Sequence, residues 1–282
     1  MEIKTVGIVG AGTMGNGIAQ VCATAGLNVT MVDIAEDALE KGVQTIQNSL
    51  ERLVKKEKLS TNDRDSALRL VNTTTQLADL KNVDLVIEAA SEAEAVKLSL
   101  IKQLDGIVKP EAIIASNTSS ISITKLAAAS SRPNRFIGMH FFNPVPVMML
   151  VELIEGLQTD NATRQAAEEF VGLIQKTTIT AKNSAGFAVN RILVPMLNEA
   201  VFVLQEGIAS AEDIDKGMQL GCNHVIGPLA LADLIGLDTL LSVMEVFYSS
   251  FNDPKYRPAP LLREMVEAGY MGRKSGRGFY SY

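Results

Sequence analysis

The chain holds two histidines, His140 and His224. Imidazole is the side chain whose ordinary pKa suits proton transfer near neutrality. His140 closes an apolar run in the segment Gly138 to Pro146, reading GMHFFNPVP, whereas His224 lies between two helical patterns. Position favours His140, because strand ends in a doubly wound sheet face the ligand crevice. Twelve residues on, Glu152 stands at the centre of the apolar run Leu150 to Ile154. An acid there is costly unless paired. A histidine partner would stabilise it, and the acid would in turn fix the imidazole tautomer and stabilise the imidazolium. The other reading of Glu152 is an edge-strand carboxylate facing water.

A base of this kind suits the oxidation of an alcohol if a hydride acceptor is at hand. The segment Gly10 to Gly15, GAGTMG, fits G-x-G-x-x-G between a strand ending at Val9 and a helical pattern beginning near Thr13. Gly10 permits the tight turn, Gly12 lets backbone approach a pyrophosphate, and Gly15 lets the helix pack closely on the sheet. Met14 belongs to the same cofactor-binding loop. Asp33 follows 18 residues after Gly15 at the end of the next strand pattern. That is the place of the acid that binds the adenosine ribose, and a carboxylate there repels a 2′-phosphate, so NAD is expected rather than NADP. Asp33 can also be read as a helix N-cap. Glu92, after the third strand pattern, is either a cofactor contact or a solvated acid. The polar run Ala115 to Ile121, which contains Ser119, either holds a substrate or ribose oxygen or caps the following helix.

These residues need a scaffold. Short β-rich runs end at Val9, Asp33, Glu88, Ser116, His140, Ile154 and Lys182, and helical patterns separate most of them. The stretch from Glu36 to Leu70 reads as two helices broken at 60–62. Alternation of this kind predicts βαβ units in a Rossmann-type, doubly wound, mostly parallel α/β sheet. Beyond residue 184 only helical patterns occur, so residues 1–184 are expected to form the cofactor domain and 185–282 an all-helical second domain.

Composition narrows the class. Net charge is −6, which offers no global basic field to nucleic acid. No run of eighteen apolar residues suggests a membrane span, and no targeting segment precedes the first strand pattern, so a soluble cytoplasmic protein is expected. Cys22 and Cys222 lack the neighbours of a zinc site; both read as small buried apolar residues, and no metal is expected.

Together these residues resemble the L-3-hydroxyacyl-CoA dehydrogenase family over essentially the whole chain, and within it the single-function bacterial enzymes of 3-hydroxybutyryl-CoA. The resemblance is carried by five segments in order: 7–15, 116–120 (SNTSS), 140–146 (HFFNPVP), 186–191 (GFAVNR) and 272–280 (GRKSGRGFY). It implies His140 as catalytic base, Glu152 as its orienting acid, Ser119 near the substrate hydroxyl and cofactor, and Asn190 at the thioester end. It places Asp33, Glu92, Lys97, Asn143 and Lys274 at NAD, and Ser49 and Lys56 at CoA, where Arg52, Lys55 and Lys58 add charge. It also implies a homodimer built by the helical domain. The lack of a fused hydratase segment favours the four-carbon acyl group. Two alternatives remain at this level: a hydroxyacid or sugar-acid dehydrogenase of the same fold, and a NAD(H)-responsive binding protein without turnover.

Overall fold

A computed structural model describes residues 2–282. The chain divides into two compact units, Met1–Ser184 and Ala185–Tyr282.

The first unit is built on β1 (Thr5–Val9), β2 (Asn28–Val32), β3 (Val71–Thr74), β4 (Leu85–Glu88), β5 (Ile113–Ser116), β6 (Phe136–Phe141), β7 (Leu150–Glu155) and β8 (Thr177–Lys182). Their order in the sheet is β3-β2-β1-β4-β5-β6-β7-β8. All neighbours run parallel except β6 and β7. The chain reverses direction across the sheet between β1 and β4, which is the switch point where doubly wound sheets take their ligands. The inner strands β4, β5 and β6 are buried at every residue, whereas β3 and β8 at the margins are not. Burial of this kind is why the inner strands read as continuous apolar runs.

Six helices serve this sheet: α1 (Thr13–Thr24), α2 (Glu36–Lys55), α3 (Thr61–Arg69), α4 (Glu94–Ile107), α5 (Ile123–Ala127) and α6 (Asn161–Leu173). Ile18 and Cys22 of α1, Ile46 and Leu50 of α2, and Phe170 of α6 join Ile8, Met31, Ile87 and Met139 of the strands in one core. Two features depart from the sequence expectation. Strand β3 is absent from that expectation, because Val-Asn-Thr-Thr is short and Val71 is its one apolar residue. The helix after Asp33 stops at Lys55, where Lys56 caps it and Glu57 takes a left-handed backbone, φ 56°. Lys58 therefore leaves the helix that carries Arg52 and Lys55, and the four cations do not form one helical cluster. Ser60 then caps α3 by accepting from the Asp63 N–H at 3.0 Å.

The second unit contains α7 (Val189–Gln205), α8 (Ala211–Cys222), α9 (Pro228–Ile235), α10 (Leu237–Phe251) and α11 (Pro260–Glu267). Leu197, Val201, Leu229, Leu240, Met244, Phe247 and Leu262 share its core. Two buried carboxylates fasten its final segment. Asp215 accepts from the Leu229 and Ala230 N–H groups and the Tyr280 hydroxyl, and Asp233 accepts from the Phe279 and Tyr280 N–H groups and the Tyr282 hydroxyl. Of the two cysteines, Cys22 is buried but Cys222 is exposed. It is the last residue of α8, where the chain leaves through a left-handed Asn223.

Candidate active site

The glycine turn is shaped by close backbone approach. Gly10 sits at φ +106°, and a Cβ there would stand 2.6 Å from the Ala89 carbonyl oxygen. A Cβ on Gly15 would stand 1.8 Å from the Gly10 carbonyl oxygen, so α1 packs against the turn only because that atom is absent. Gly12, by contrast, is exposed, and a Cβ there would meet nothing within 4 Å. It is the N-cap of α1, without a side-chain cap, and the first turn holds no acidic residue. Open approach, uncapped N–H groups and the positive end of a helix together fit a pyrophosphate. Met14 lies half-buried in that first turn.

Asp33 lies just beyond β2 and faces the same turn. Its Oδ2 accepts from the Ala11 N–H at 2.8 Å and its Oδ1 from the Ala35 N–H at 3.2 Å. It is not the N-cap of α2; that position is Ala35, with no side-chain bond. The carboxylate thus ties the glycine turn to the end of β2.

At the end of β4 lies a buried ion pair absent from the sequence reading. Lys97, 1% exposed, donates to both carboxylate oxygens of the fully buried Glu88, at 2.8 and 2.9 Å. Glu88 also accepts from the Ser116 hydroxyl at 2.6 Å and the Ala90 N–H at 2.8 Å. The Lys97 ammonium is turned inward and also lies 3.4 Å from Glu92, the acid that the resemblance likewise implies at NAD. Glu92 in turn accepts from the Thr118 hydroxyl at 2.6 Å, the Ser119 N–H at 2.9 Å and the Ser120 hydroxyl at 3.1 Å. The Ser119 hydroxyl lies 3.3 Å from the same oxygen. Burial works to raise the Glu92 carboxyl, but the Lys97 charge and these donors outweigh it and hold it below its ordinary value. Glu92 and the polar run, separate candidates in the sequence, are one assembly. The missed Glu88 obeys the same rule that singled out Glu152: an acid closing an apolar strand needs a partner.

His140 and Glu152 face each other across the antiparallel pair β6 and β7, in direct register. Residues opposite each other on such a pair share one face of the sheet. Nδ1 of His140 lies 2.8 Å from Oε2 of Glu152, with the two side chains 8% and 0% exposed. An ionised carboxylate only accepts, so with Glu152 charged the proton sits on Nδ1 and Nε2 is the basic atom. Phe142 packs against the imidazole, ring centroids 4.5 Å apart. Asn117 Oδ1 accepts from the Phe141 N–H at 2.9 Å, which ties the end of β6 to the polar run after β5. Asn143 is exposed in the connector that follows.

Ser49 and Lys56, seven residues apart, share one face of α2 and its cap. Arg52 and Lys56 are exposed and Ser49 is half-buried. In the second unit, Asn190 is half-buried in the first turn of α7, and Lys274 is ion-paired with Asp238 at the start of α10. His224 lies just beyond α8 in that unit. Among the described residues, no group of His, Cys, Asp and Glu could hold a metal ion, and no helix is long and apolar enough to cross a membrane.

Known proteins share this architecture along the whole chain. Residues 5–184 match the family model for the NAD binding domain of 3-hydroxyacyl-CoA dehydrogenase, and residues 186–282 match that for its C-terminal domain. A relative from Bradyrhizobium diazoefficiens named 3-hydroxybutyryl-CoA dehydrogenase is 52% identical over 280 residues, covering 99% of this chain and 96% of its own. One of the same name from Mycobacterium tuberculosis is 49% identical over 282 residues, covering 99% of each chain. The crystal structure of (S)-3-hydroxybutyryl-CoA dehydrogenase PaaH1 from Ralstonia eutropha superposes with a TM-score of 0.98 at 65% identity, covering 100% of this chain and 99% of that one.

Proposed function

The chain belongs to the 3-hydroxyacyl-CoA dehydrogenase family, and on that premise we propose that it interconverts (S)-3-hydroxybutyryl-CoA and acetoacetyl-CoA, with His140 and Glu152 as the acid–base pair. The observation that carries this reading is the buried His140–Glu152 contact of 2.8 Å beside the ligand-binding edge of a dinucleotide sheet. NAD, when bound, supplies the hydride acceptor. Gly10, Gly12, Met14 and Gly15 would hold its pyrophosphate end, Asp33 its adenosine ribose, and Glu92, Ser119 and Asn143 its nicotinamide half. In oxidation, Nε2 of His140 removes the proton of the C3 hydroxyl as C3 gives up its hydride, leaving a 3-keto group; in reduction, the imidazolium returns that proton. Glu152 keeps Nδ1 protonated and stabilises the positive ring. Lys97 acts from behind, as the cation that keeps Glu92 charged and in place. Asn190 is assigned to the substrate and Lys274 to the cofactor through their motifs.

Loss of NADH absorbance on adding acetoacetyl-CoA tests the activity. Equal kcat/KM with free acetoacetate would instead favour a hydroxyacid dehydrogenase, because remote CoA contacts would then contribute nothing to the reacting centre.

Three further expectations follow from the same geometry. In Asp33→Ala the glycine turn loses its carboxylate partner, so NADH binds roughly tenfold more weakly, the scale of one charge-assisted hydrogen bond at a half-exposed site. NADPH gains relative to NADH, because the repelling charge is gone. Fluorescence titration with both cofactors reads this out, and wild-type protein that bound them equally would contradict it. For CoA, Arg52 and Lys56 give an otherwise acidic protein local positive charge, and the Ser49 hydroxyl adds a donor on the same face. Lys56→Ala therefore raises KM for acetoacetyl-CoA severalfold, on the order of one solvent-screened phosphate contact, with a smaller effect on NADH; an unchanged KM removes Lys56 from the CoA site. Finally, Ile192, Ile208, Leu220 and Val225 of the helical unit are 67–99% exposed in the single chain. The family resemblance makes a second copy of the chain the partner that would cover them. Light scattering is expected to give a dimer mass, and a monomer at micromolar concentration would rule this out.

A further inference from the structure

The connector between β6 and β7, residues 142–149, carries Phe142 against the His140 ring and Asn143 beside it. Three attachments hold it. Val145 is 2% exposed and lies against α1, so closely that a Cβ on Gly17 would stand 2.9 Å from the Val145 Cβ. The Thr177 N–H donates to the Met149 carbonyl at 2.8 Å. The third attachment is a buried amine. Lys176, 9% exposed, donates from Nζ to the carbonyls of Val145 at 2.7 Å and Met148 at 2.6 Å.

The local fold sends Lys176 there. Helix α6 ends at Leu173, and Gln175 takes a left-handed backbone at φ 58°. The N–H groups of Gln175 and Lys176 turn back to the carbonyls of Gly172 and Val171, both at 3.0 Å, which closes the helix and aims the next side chain inward. Its neighbour Cys22 is no counter-ion, since burial pushes that thiol up to about 12 and leaves it neutral. Burial also lowers the pKa of Lys176. A buried ammonium is costly unless its donors are satisfied; here the acceptors are two carbonyls of one connector, both beside the catalytic strand.

We propose that Lys176 is a positioning residue of the active site: by bonding the Val145 and Met148 carbonyls it fixes the connector, and with it Phe142, Asn143 and the pairing that sets His140 opposite Glu152. The proposal rests on His140 being the acid–base group. A misplacement of about 1 Å at such a site costs up to roughly 10²-fold in rate, so a partial loss is expected when the clamp is released but the strands stay paired.

The test uses the full chain. Lys176→Met is expected to bind NADH with wild-type stoichiometry, to take up deuterium faster across 142–149 but not across β1 and β2, and to lose roughly tenfold in kcat with acetoacetyl-CoA. Lys176→Arg, which keeps a cation with donors, recovers part of both. A kcat within about twofold of wild type in Lys176→Met, alongside an inactive His140→Gln, overturns the role of Lys176 and leaves that of His140 standing. Full turnover in His140→Gln removes both. Faster exchange across the whole first unit also overturns the proposal, because Lys176 would then be a general prop of the fold. If Lys176→Met fails to fold, Lys176→Arg decides: a partial loss of kcat with faster exchange confined to 142–149 supports the clamp, and wild-type kcat and exchange refute it.

Discussion

Replacing His140 with glutamine lowers kcat for acetoacetyl-CoA by roughly 10²- to 10⁴-fold, the range for losing a general acid–base group. Glutamine is of similar size and its amide can still donate to Glu152, so the nearly closed site keeps its packing. What it cannot do is carry a transferable proton. NADH binding is expected to persist, because the glycine turn and Asp33 are built on β1, α1 and β2, several strands away in the sheet order. Glu152→Gln is expected to lose activity as well, since the neutral amide neither fixes the Nδ1 proton nor stabilises the imidazolium. Stopped-flow turnover beside NADH titration separates binding from chemistry. A folded His140→Gln enzyme turning over at nearly the wild-type rate would falsify the assignment.

The second large effect concerns stability. Lys97→Met leaves the fully buried Glu88 carboxylate with only the Ser116 hydroxyl and the Ala90 N–H. Removing one partner of a buried ion pair costs about 3–5 kcal/mol, because the other charge is stranded, whereas replacing both partners with neutral groups is often nearly neutral. Urea unfolding of the full chain should therefore show a strongly destabilised Lys97→Met, and Glu88→Gln with Lys97→Met should recover most of the loss. In the double variant Glu92 still lacks its cation, so NADH affinity stays reduced although stability returns. A single variant destabilised by less than about 1 kcal/mol, or a double variant no better than the single, would show that the pair is not held as a unit.

How much of this the residues reveal by themselves depends on the range of the interaction involved. The glycine turn is a local pattern, legible because Gly10 and Gly15 answer close backbone contacts with the adjoining strand end and within the turn, while Gly12 leaves the helix start open. Glu152 is legible for another reason: an acid amid Leu, Val and Ile must find a partner, and the chain offers few. The same argument applied to Glu88 at the end of Leu-Val-Ile-Glu calls for a partner, which the structure shows to be Lys97. The resemblance implies Lys97 at NAD, and the structure adds that its ammonium is 1% exposed and paired with Glu88. Strand β3 escaped because a margin strand of four residues carries no apolar period. Lys176 left no local signal at all. Its acceptors are carbonyls some thirty residues away, and backbone oxygens have no sequence signature. Cys222 shows the reverse error, a residue type commonly buried that here ends a helix at the surface.

The one antiparallel pairing in the sheet has a consequence for what the chain can tolerate. Side chains along a strand alternate between faces, so shifting a strand by a single residue turns every side chain on it over. His140 meets Glu152 because the connector returns β7 to β6 at one particular offset. Adding or removing one residue there, if the strands slid to absorb it, would place a neighbouring apolar side chain opposite the imidazole and turn the acid to the other side of the sheet. Parity thus matters to this chemistry: the number of residues between base and acid is as much a part of the active site as their identities, although none of those residues needs to touch the substrate for that to hold.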